Sequence, residues 1–437
     1  MKQLNIIIAP LLALFISIGN SATPDQLLSS GKSKLSNGEL EEALVDFELA
    51  LDQNDQFTPA MMELAQLQLR LGDMEKSQMY LRKAVDVDYD QFKTEFDRFN
   101  DINIKMSDGG RAMKNGEFEN AFTFYEEVVK EFPNFTEAVY SMGLAKFRVR
   151  DFSASVKLFR QALDLNPNHN NARTAIENVV KNTFNEGNNS YRRGNLEKAM
   201  EAYYQVLEYD PAFIKAHYQI GVIEAKRGNL DIAIKAYTNA IDTDSTFYIG
   251  WFALGLAQNK YGNKAEALAS FQQAVTIHPG YAKAYSSMGD IYIQNKDYES
   301  AVEVLKTAIA VDENYAKPYI SLGAIYIDAD SLDLAVTYLE KGTSLNPKDA
   351  SAWVRLASAH NHLGNCDSAK EAAREATDRK KRFGAGWYEL GIAEWCKGRG
   401  SKTAALNALE KARDDRSWRQ MSEYEIDRIK NPEKYEE

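Results

Sequence analysis

The chain has 437 residues, of which 44% are hydrophobic and 26% are charged, and its formal net charge is −11. This composition is typical of a folded protein and argues against long disordered segments. The acidic charge makes nucleic acid and anionic lipid poor candidates for partners.

The N-terminus has the features of a secretory signal peptide. Lys2 supplies a minimal positive charge, an apolar run extends from Leu4 to Ile18, and Ser21 and Ala22 offer small residues for cleavage. The run is too short to span a bilayer comfortably, and no second long apolar run follows it in the sequence. We therefore expect a signal peptide over residues 1–22, cleaved near Ala22, and a mature periplasmic or secreted protein without an integral membrane segment. An uncleaved N-terminal anchor is the alternative.

Small residues recur along the rest of the chain, and consecutive members are 34 residues apart with two exceptions. A period in this range indicates that each unit is one pair of helices, which buries its apolar face by stacking on its neighbours. We call these small residues the markers. They are Gly31, Ala65, Gly109, Gly143, Gly187, Gly221, Gly255, Gly289, Gly323, Ala357 and Gly391.

Each unit contains two amphipathic segments with helical spacing. In the unit around Gly255, Ala267 follows the marker by twelve residues and Phe271 by sixteen. The two small residues predict a close approach of the helices, with the large ring filling the remaining gap. Between the segments, recurrent glycines fit left-handed helix C-caps. These glycines are Gly38, Gly72, Gly116, Gly194, Gly228, Gly262, Gly364 and Gly398.

This pattern resembles the tetratricopeptide repeat family over nearly the whole mature chain. The resemblance implies an all-α fold, a right-handed superhelical solenoid of about eleven helix-turn-helix repeats whose concave face binds peptides or proteins. The polar segment after Ala412 resembles the capping helix that shields the last hydrophobic face. The family signature is matched best at Trp251, Leu254, Gly255, Ala267, Phe271, Ala274 and Pro279.

Two insertions of ten residues interrupt the period, because the spacing is 44 from Ala65 to Gly109 and again from Gly143 to Gly187. The apolar residues of both inserts have helical spacing, so we interpret each as an N-terminal extension of the following first helix. The predicted organisation is repeats 1 and 2 over 24–91, an insert over 92–101, repeats 3 and 4 over 102–169, an insert over 170–179, repeats 5 to 11 over 180–416, and a C-terminal cap and tail over 417–437.

By the geometry of the family, residues three before and four after each marker line the concave groove. Aromatic residues in these columns suit the apolar side chains of an extended or helical peptide, and their alternative role is packing between first helices. Lysines six residues before their markers predict a basic row along one groove edge, which suits an acidic segment. The aromatic candidates are Tyr140, Phe147, Phe184, Tyr191, Tyr218 and Phe252, and the lysine candidates are Lys181, Lys215, Lys283 and Lys317.

The two cysteines fall on helices that are expected to be antiparallel neighbours. Cys366 lies near the start of a second helix and Cys396 near the end of the next first helix, so both sulfurs are expected at the same end. A disulfide is therefore plausible in an exported protein, with two buried free thiols as the alternative. His360 and His362 are two residues apart and face different sides of a helix, so no metal site is expected.

The sequence contains no phosphate-binding loop, nucleophile elbow or serine-triad order, so we expect no catalytic residues and no cofactor. The basic run Arg379–Arg382 is expected to be a solvated loop. Together these features predict a non-enzymatic scaffold of the cell envelope that binds a protein or peptide in its concave groove. A structural or self-associating component of a larger envelope assembly, such as a secretion or motility apparatus, is the alternative, and homo-oligomer formation stays open.

Overall fold

The computed structural model describes residues 22–396 and 401–435. Over these ranges the regular structure is entirely helical, with 23 α-helices and a short 3₁₀ helix, Pro432–Lys434. Residues 1–21 of the predicted signal peptide and the predicted C-cap Gly398 lie outside the described residues. Within the described ranges, no helix is both long and apolar enough to cross a membrane. The chain divides into two compact units, Met1–Pro211 and Ala212–Glu437.

The first unit contains five helix pairs, and the helices of each pair pack against each other. The pairs are α1 (Pro24–Ser36) with α2 (Leu40–Gln53), α3 (Thr58–Leu71) with α4 (Met74–Val87), α5 (Tyr89–Asn115) with α6 (Phe118–Glu131), α7 (Thr136–Arg148) with α8 (Phe152–Leu165), and α9 (Asn170–Arg192) with α10 (Leu196–Tyr209).

The second unit contains six helix pairs and a final helix, α23 (Arg419–Lys430), which packs on the last pair. The pairs are α11 (Ile214–Arg227) with α12 (Leu230–Thr243), α13 (Tyr248–Tyr261) with α14 (Lys264–Ile277), α15 (Ala282–Gln294) with α16 (Tyr298–Val311), α17 (Ala316–Asp328) with α18 (Leu332–Leu345), α19 (Ala350–Leu363) with α20 (Cys366–Arg379), and α21 (Gly384–Trp395) with α22 (Lys402–Arg413).

The helices of a pair meet where the marker has no side chain. A Cβ atom placed on Gly255 would lie 2.6 Å from Cε1 of Phe271, closer than unbonded carbon atoms approach. The prediction that the ring fills the gap between the two helices is therefore confirmed. In the tenth pair the marker is Ala357, and the residue sixteen positions later is the small Ala373. Both alanines are fully buried in one apolar cluster, so the added methyl group is accommodated.

Left-handed residues end the first helices. The described glycines at the predicted C-cap position all have positive φ, from 71° at Gly364 to 107° at Gly262, which confirms that prediction. In three repeats Arg150, Lys296 and Asp330 occupy the same position, also with positive φ. The backbone turn is thus kept even where a side chain makes it less favourable.

The two ten-residue inserts lie within the two longest described helices. Residues 92–101 fall inside α5, which has 27 residues, and residues 170–179 form the first part of α9, which has 23 residues. Neither insert forms a separate element, and each lengthens a first helix in the N-terminal direction.

In the first unit, the second repeat contacts the fourth. Arg70 Nε donates a hydrogen bond to the carbonyl oxygen of Leu165 at 2.6 Å, and Thr136 Oγ1 donates to the carbonyl oxygen of Arg70 at 2.6 Å. Phe135, which is 1% exposed, packs in the same apolar cluster as Leu69, which is 4% exposed. Leu69 follows its marker by four residues and Met62 precedes it by three, and both line a cleft of about 300 Å³ that Phe135 also lines. The fourth repeat therefore forms part of the wall of this cleft.

Gly109 and Gly110 on α5 offer a matched test of the close approach. A Cβ on Gly109 would lie 2.5 Å from the ring of Tyr125, whereas a Cβ on Gly110 would meet no atom within 4 Å. We expect Gly109→Ala to lower the free energy of unfolding by about 1–3 kcal/mol through overpacking. Gly110→Ala should raise it by about 0.5–1 kcal/mol, because alanine is the better helix former. Urea unfolding followed by circular dichroism measures both, and equal stability of the two variants would contradict the packing argument.

Candidate binding groove

Five of the six aromatic candidates have two roles, because each of these rings packs against a ring of its own repeat and is still partly exposed. The Phe252 ring centroid lies 5.5 Å from that of Phe271 in the same repeat and 5.0 Å from that of Tyr281 in the next. The Tyr140 centroid lies 5.6 Å from that of Phe159 and 4.9 Å from that of His169, and burial raises the pKa of the Tyr140 hydroxyl. These rings are therefore fixed by the core, and their outer edges form the exposed surface.

Three of the four remaining candidates also pack against a ring of their own repeat. Phe147 contacts Phe152, Phe184 contacts Tyr203, and Tyr218 contacts Tyr237, with ring centroids 5.5–5.8 Å apart. Tyr191 is partly buried. Four of the six aromatic candidates belong to the first unit, and Tyr218 and Phe252 belong to the second.

The second unit contains a concave cleft of about 400 Å³ between α11 and α13. Its lining is aliphatic or aromatic apart from two lysines, three of the aromatic residues are tyrosines, and the described residues that form it include no carboxylate. Leu256, on α13, is 45% exposed here, although it is a large apolar residue. We call this cleft the α11–α13 groove. It is lined by Tyr218, Val222, Ala225, Lys226, Leu230, Tyr237, Ile249, Phe252, Ala253, Leu256, Ala257, Lys260 and Tyr281.

The predicted lysine row is interrupted by ion pairs within the chain. Lys317 Nζ lies 2.6 Å from Oδ2 of Asp290, and Lys181 Nζ lies 3.7 Å from Oε2 of Glu177. Lys215 and Lys283 are exposed, and among the described residues no carboxylate lies within ion-pair distance of either. In the repeat between them the same position is Ile249, which lines the α11–α13 groove.

Sequence reasoning missed most residues of this groove, among them Leu256 and Lys260. Leu256 and Lys260 follow their marker by one and five residues, whereas the predicted columns stand three before and four after it. The signal was present in the sequence, because Val222 and Lys226 occupy the corresponding positions of the preceding repeat. A helix face of this width takes in more than two columns of side chains.

The C-terminal repeats bury an ionisable group next to the predicted groove columns. Glu389 is 7% exposed, and its Oε2 accepts a hydrogen bond from Nδ2 of Asn361 at 2.7 Å. Burial raises the pKa of the Glu389 carboxyl, and hydrogen bonds from Asn361 and Ser358 lower it by less. Burial also raises the pKa of the neighbouring Tyr388 hydroxyl to about 12. Asn361 and Tyr388 both stand in predicted columns, so this end of the face is polar and closely packed.

The raised pKa of Glu389 predicts a dependence of stability on pH. The folded protein holds the proton of the Glu389 carboxyl more tightly than the unfolded chain does. The free energy of unfolding therefore falls as the pH rises above about 4.5 and this carboxyl ionises. Glu389→Gln keeps an acceptor for Asn361 and cannot ionise. We expect this variant to have a higher free energy of unfolding than the wild type at neutral pH. Its free energy of unfolding should also decrease less between acidic and neutral pH.

Urea unfolding of the Glu389→Gln variant at several pH values tests this expectation. Glu371→Gln, at an exposed position on α20, is the control and should leave the pH profile unchanged. Parallel profiles for wild type and Glu389→Gln would show that burial of this carboxyl does not affect stability.

Cys366 and Cys396 are joined by a disulfide, with Cα atoms 5.7 Å apart. Cys366 begins α20 and Cys396 follows α21, so the bond ties the last two repeats together. Closing a loop of this length contributes roughly 3–4 kcal/mol in the chain-entropy view of disulfides.

The histidines and the basic run have structural contacts. His362 Nδ1 lies 2.8 Å from the carbonyl oxygen of Ser358, and within the described ranges no group of three or more His, Cys, Asp or Glu residues is placed to hold a metal. The Arg379 guanidinium lies over the Trp353 ring at 5.2 Å, and the Lys380 ammonium lies over the Phe383 ring at 4.3 Å. The first half of the basic run is therefore held against aromatic rings, although it is exposed as expected.

Three sequence models of one repeat family match the chain, and together they span more than half of it. One, described as TPR repeat, matches residues 187–226 and 289–330. Two, described as Tetratricopeptide repeat, match residues 218–282 and residues 58–91, 136–169, 316–349 and 350–383. The chain belongs to the tetratricopeptide repeat family. The helix pairs and their marker contacts are thus the structural form of this repeat.

Individual relatives resemble parts of the chain. The DnaJ homolog subfamily C member 7 homolog of Schizosaccharomyces pombe is 30% identical over 97 residues, which are 22% of this chain and 20% of that protein. The chain thus matches about a fifth of this relative. The crystal structure of MamA is 25% identical, covers 38% of this chain and 96% of its own, and has a TM-score of 0.35. The structure of YrrB, described as a TPR protein with an unusual peptide-binding site, is 21% identical, with coverages of 44% and 97% and a TM-score of 0.39.

Proposed function

We propose that this tetratricopeptide repeat protein is a non-enzymatic scaffold of the cell envelope that binds a protein segment in the α11–α13 groove. The observation that carries the proposal is the exposure of Leu256 on the groove floor beside the ring of Phe252. A concave apolar surface with few polar groups is typical of a binding site.

The groove is formed before any partner arrives. Gly221 and Gly255 hold α11 and α13 against the rings of Tyr237 and Phe271, and these contacts leave little freedom in the helices that carry the groove. A segment that binds there gains about 25 cal/mol for each Å² of apolar surface removed from water. The protein loses little conformational entropy in return, so more of this gain appears as affinity.

An extracytoplasmic location is part of the proposal. It is supported by the apolar N-terminal run and by the Cys366–Cys396 disulfide, because such bonds persist in oxidising compartments. We expect both cysteines to resist a thiol-alkylating reagent added to intact cells and to react after reduction. Mass spectrometry of the protein isolated from its native cells measures this, and full alkylation before reduction would place the protein in a reducing compartment.

A photoreactive residue at position 256 tests the groove directly. Leu256→benzoylphenylalanine should give partner adducts in native cells, because the side chain lies exposed on the groove floor. The matched control is Leu334→benzoylphenylalanine, since Leu334 is 48% exposed and lies on α18 outside the groove lining. Adducts specific to position 256 are expected by gel and mass spectrometry. Equal adducts from both positions would remove the groove as the binding site.

A further inference from the structure

The α11–α13 groove carries positive charge although the protein as a whole is acidic. Lys260, at the end of α13, is exposed at the rim, and the lining contains no carboxylate among the described residues. Lys215 and Lys283 stand in the neighbouring repeats at the position that Ile249 occupies in this one. Because α13 contacts both α11, which carries Lys215, and α15, which carries Lys283, we place these lysines on either side of α13.

The two acidic residues on the first helices α11, α13 and α15 are already paired, and Asp231 on α12, next to the lining residue Leu230, is exposed. Glu224 on α11 is 4% exposed and accepts from Nη1 of Arg227 at 2.9 Å and from Nδ2 of Asn229 at 2.7 Å. Asp290 on α15 is paired with Lys317 at 2.6 Å. Their charges therefore do little to offset that of Lys260, and the net charge of −11 resides elsewhere on the chain.

We infer that the α11–α13 groove selects a protein segment in which apolar side chains are flanked by carboxylates. This inference rests on the proposed function and names the chemistry of the partner. The apolar side chains lie against Leu256 and Phe252, and the carboxylates pair with Lys260 and with the lysines on either side. A basic segment would bring like charges together, which costs affinity and slows association.

Capped synthetic peptides test the selection on the full-length protein. The probe is a short fluorescein-labelled peptide of alternating Leu and Asp, acetylated and amidated so that its termini carry no charge. Its three comparison peptides replace every Asp by Asn, every Asp by Lys, or every Leu by Ala. We expect the Leu–Asp peptide to bind up to about fivefold more tightly than its Asn isostere in fluorescence anisotropy, because an exposed ion pair contributes up to about that factor. The preference should shrink with added salt.

Charge reversal at the rim locates the site. Lys260→Glu should weaken binding of the Leu–Asp peptide by about fivefold or more and leave binding of the Asn isostere nearly unchanged. Lys306→Glu makes the same change of charge at an exposed position on α16 and should have no effect. If both variants act equally, or neither acts, the assignment to this groove is overturned.

The remaining outcomes separate this inference from the proposed function. Equal affinity for the Leu–Asp, Leu–Asn and Leu–Lys peptides, together with no binding of the Ala peptide, would overturn the charge selection. The groove would then be a binding site for apolar side chains alone. Equal affinity for the Ala and Leu peptides would overturn the apolar part. Absence of binding by all four peptides, together with equal photoadducts at positions 256 and 334, would overturn both this inference and the proposed function.

Discussion

The close contact between a marker glycine and the large side chain sixteen residues later is the constraint on which the rest of the structure depends. It fixes both the distance and the register of the two helices in a pair, as at Gly187 with Tyr203 and at Gly289 with Leu305. Fixed pairs present their outward residues at constant intervals. The surface columns are thus a consequence of packing inside each pair.

The first unit shows that the same repeat can produce different surfaces. The extension of α5 lengthens one first helix, and the chain then brings Phe135 onto the face of the second repeat. The hydrogen bonds of Arg70 with Leu165 and Thr136 hold this contact. Leu69 and Phe135 are almost fully buried there, although both line a cleft of about 300 Å³. In the second unit the regular spacing leaves Leu256 exposed in the corresponding face.

Periodicity predicted the helix pairs, the glycine C-caps and the gap-filling rings, because each depends on residues close in sequence. It did not predict which groove positions remain accessible, because that depends on contacts between distant residues. Leu69 packs in one apolar cluster with Phe135, which is more than sixty residues away in sequence, and Lys317 is paired with Asp290 of the preceding repeat. Ring orientation was also ambiguous, since Phe252 both packs on Phe271 and lines a groove. A column position alone cannot separate these two roles.

Binding in such a protein therefore uses the side chains that the core contacts leave exposed. Phe252 and Tyr218 are anchored by their own repeats, so their orientation does not depend on a partner. Leu256 and Lys260 are not needed for the pair contact, which leaves them able to determine affinity and selectivity without affecting the fold. Stability and recognition thus depend on different residues of the same helix. The marker Gly255 on α13 holds the repeat together, whereas Leu256 and Lys260, one and five residues later, face the solvent. Substitution on the second face can then change the partner while the repeat stays intact.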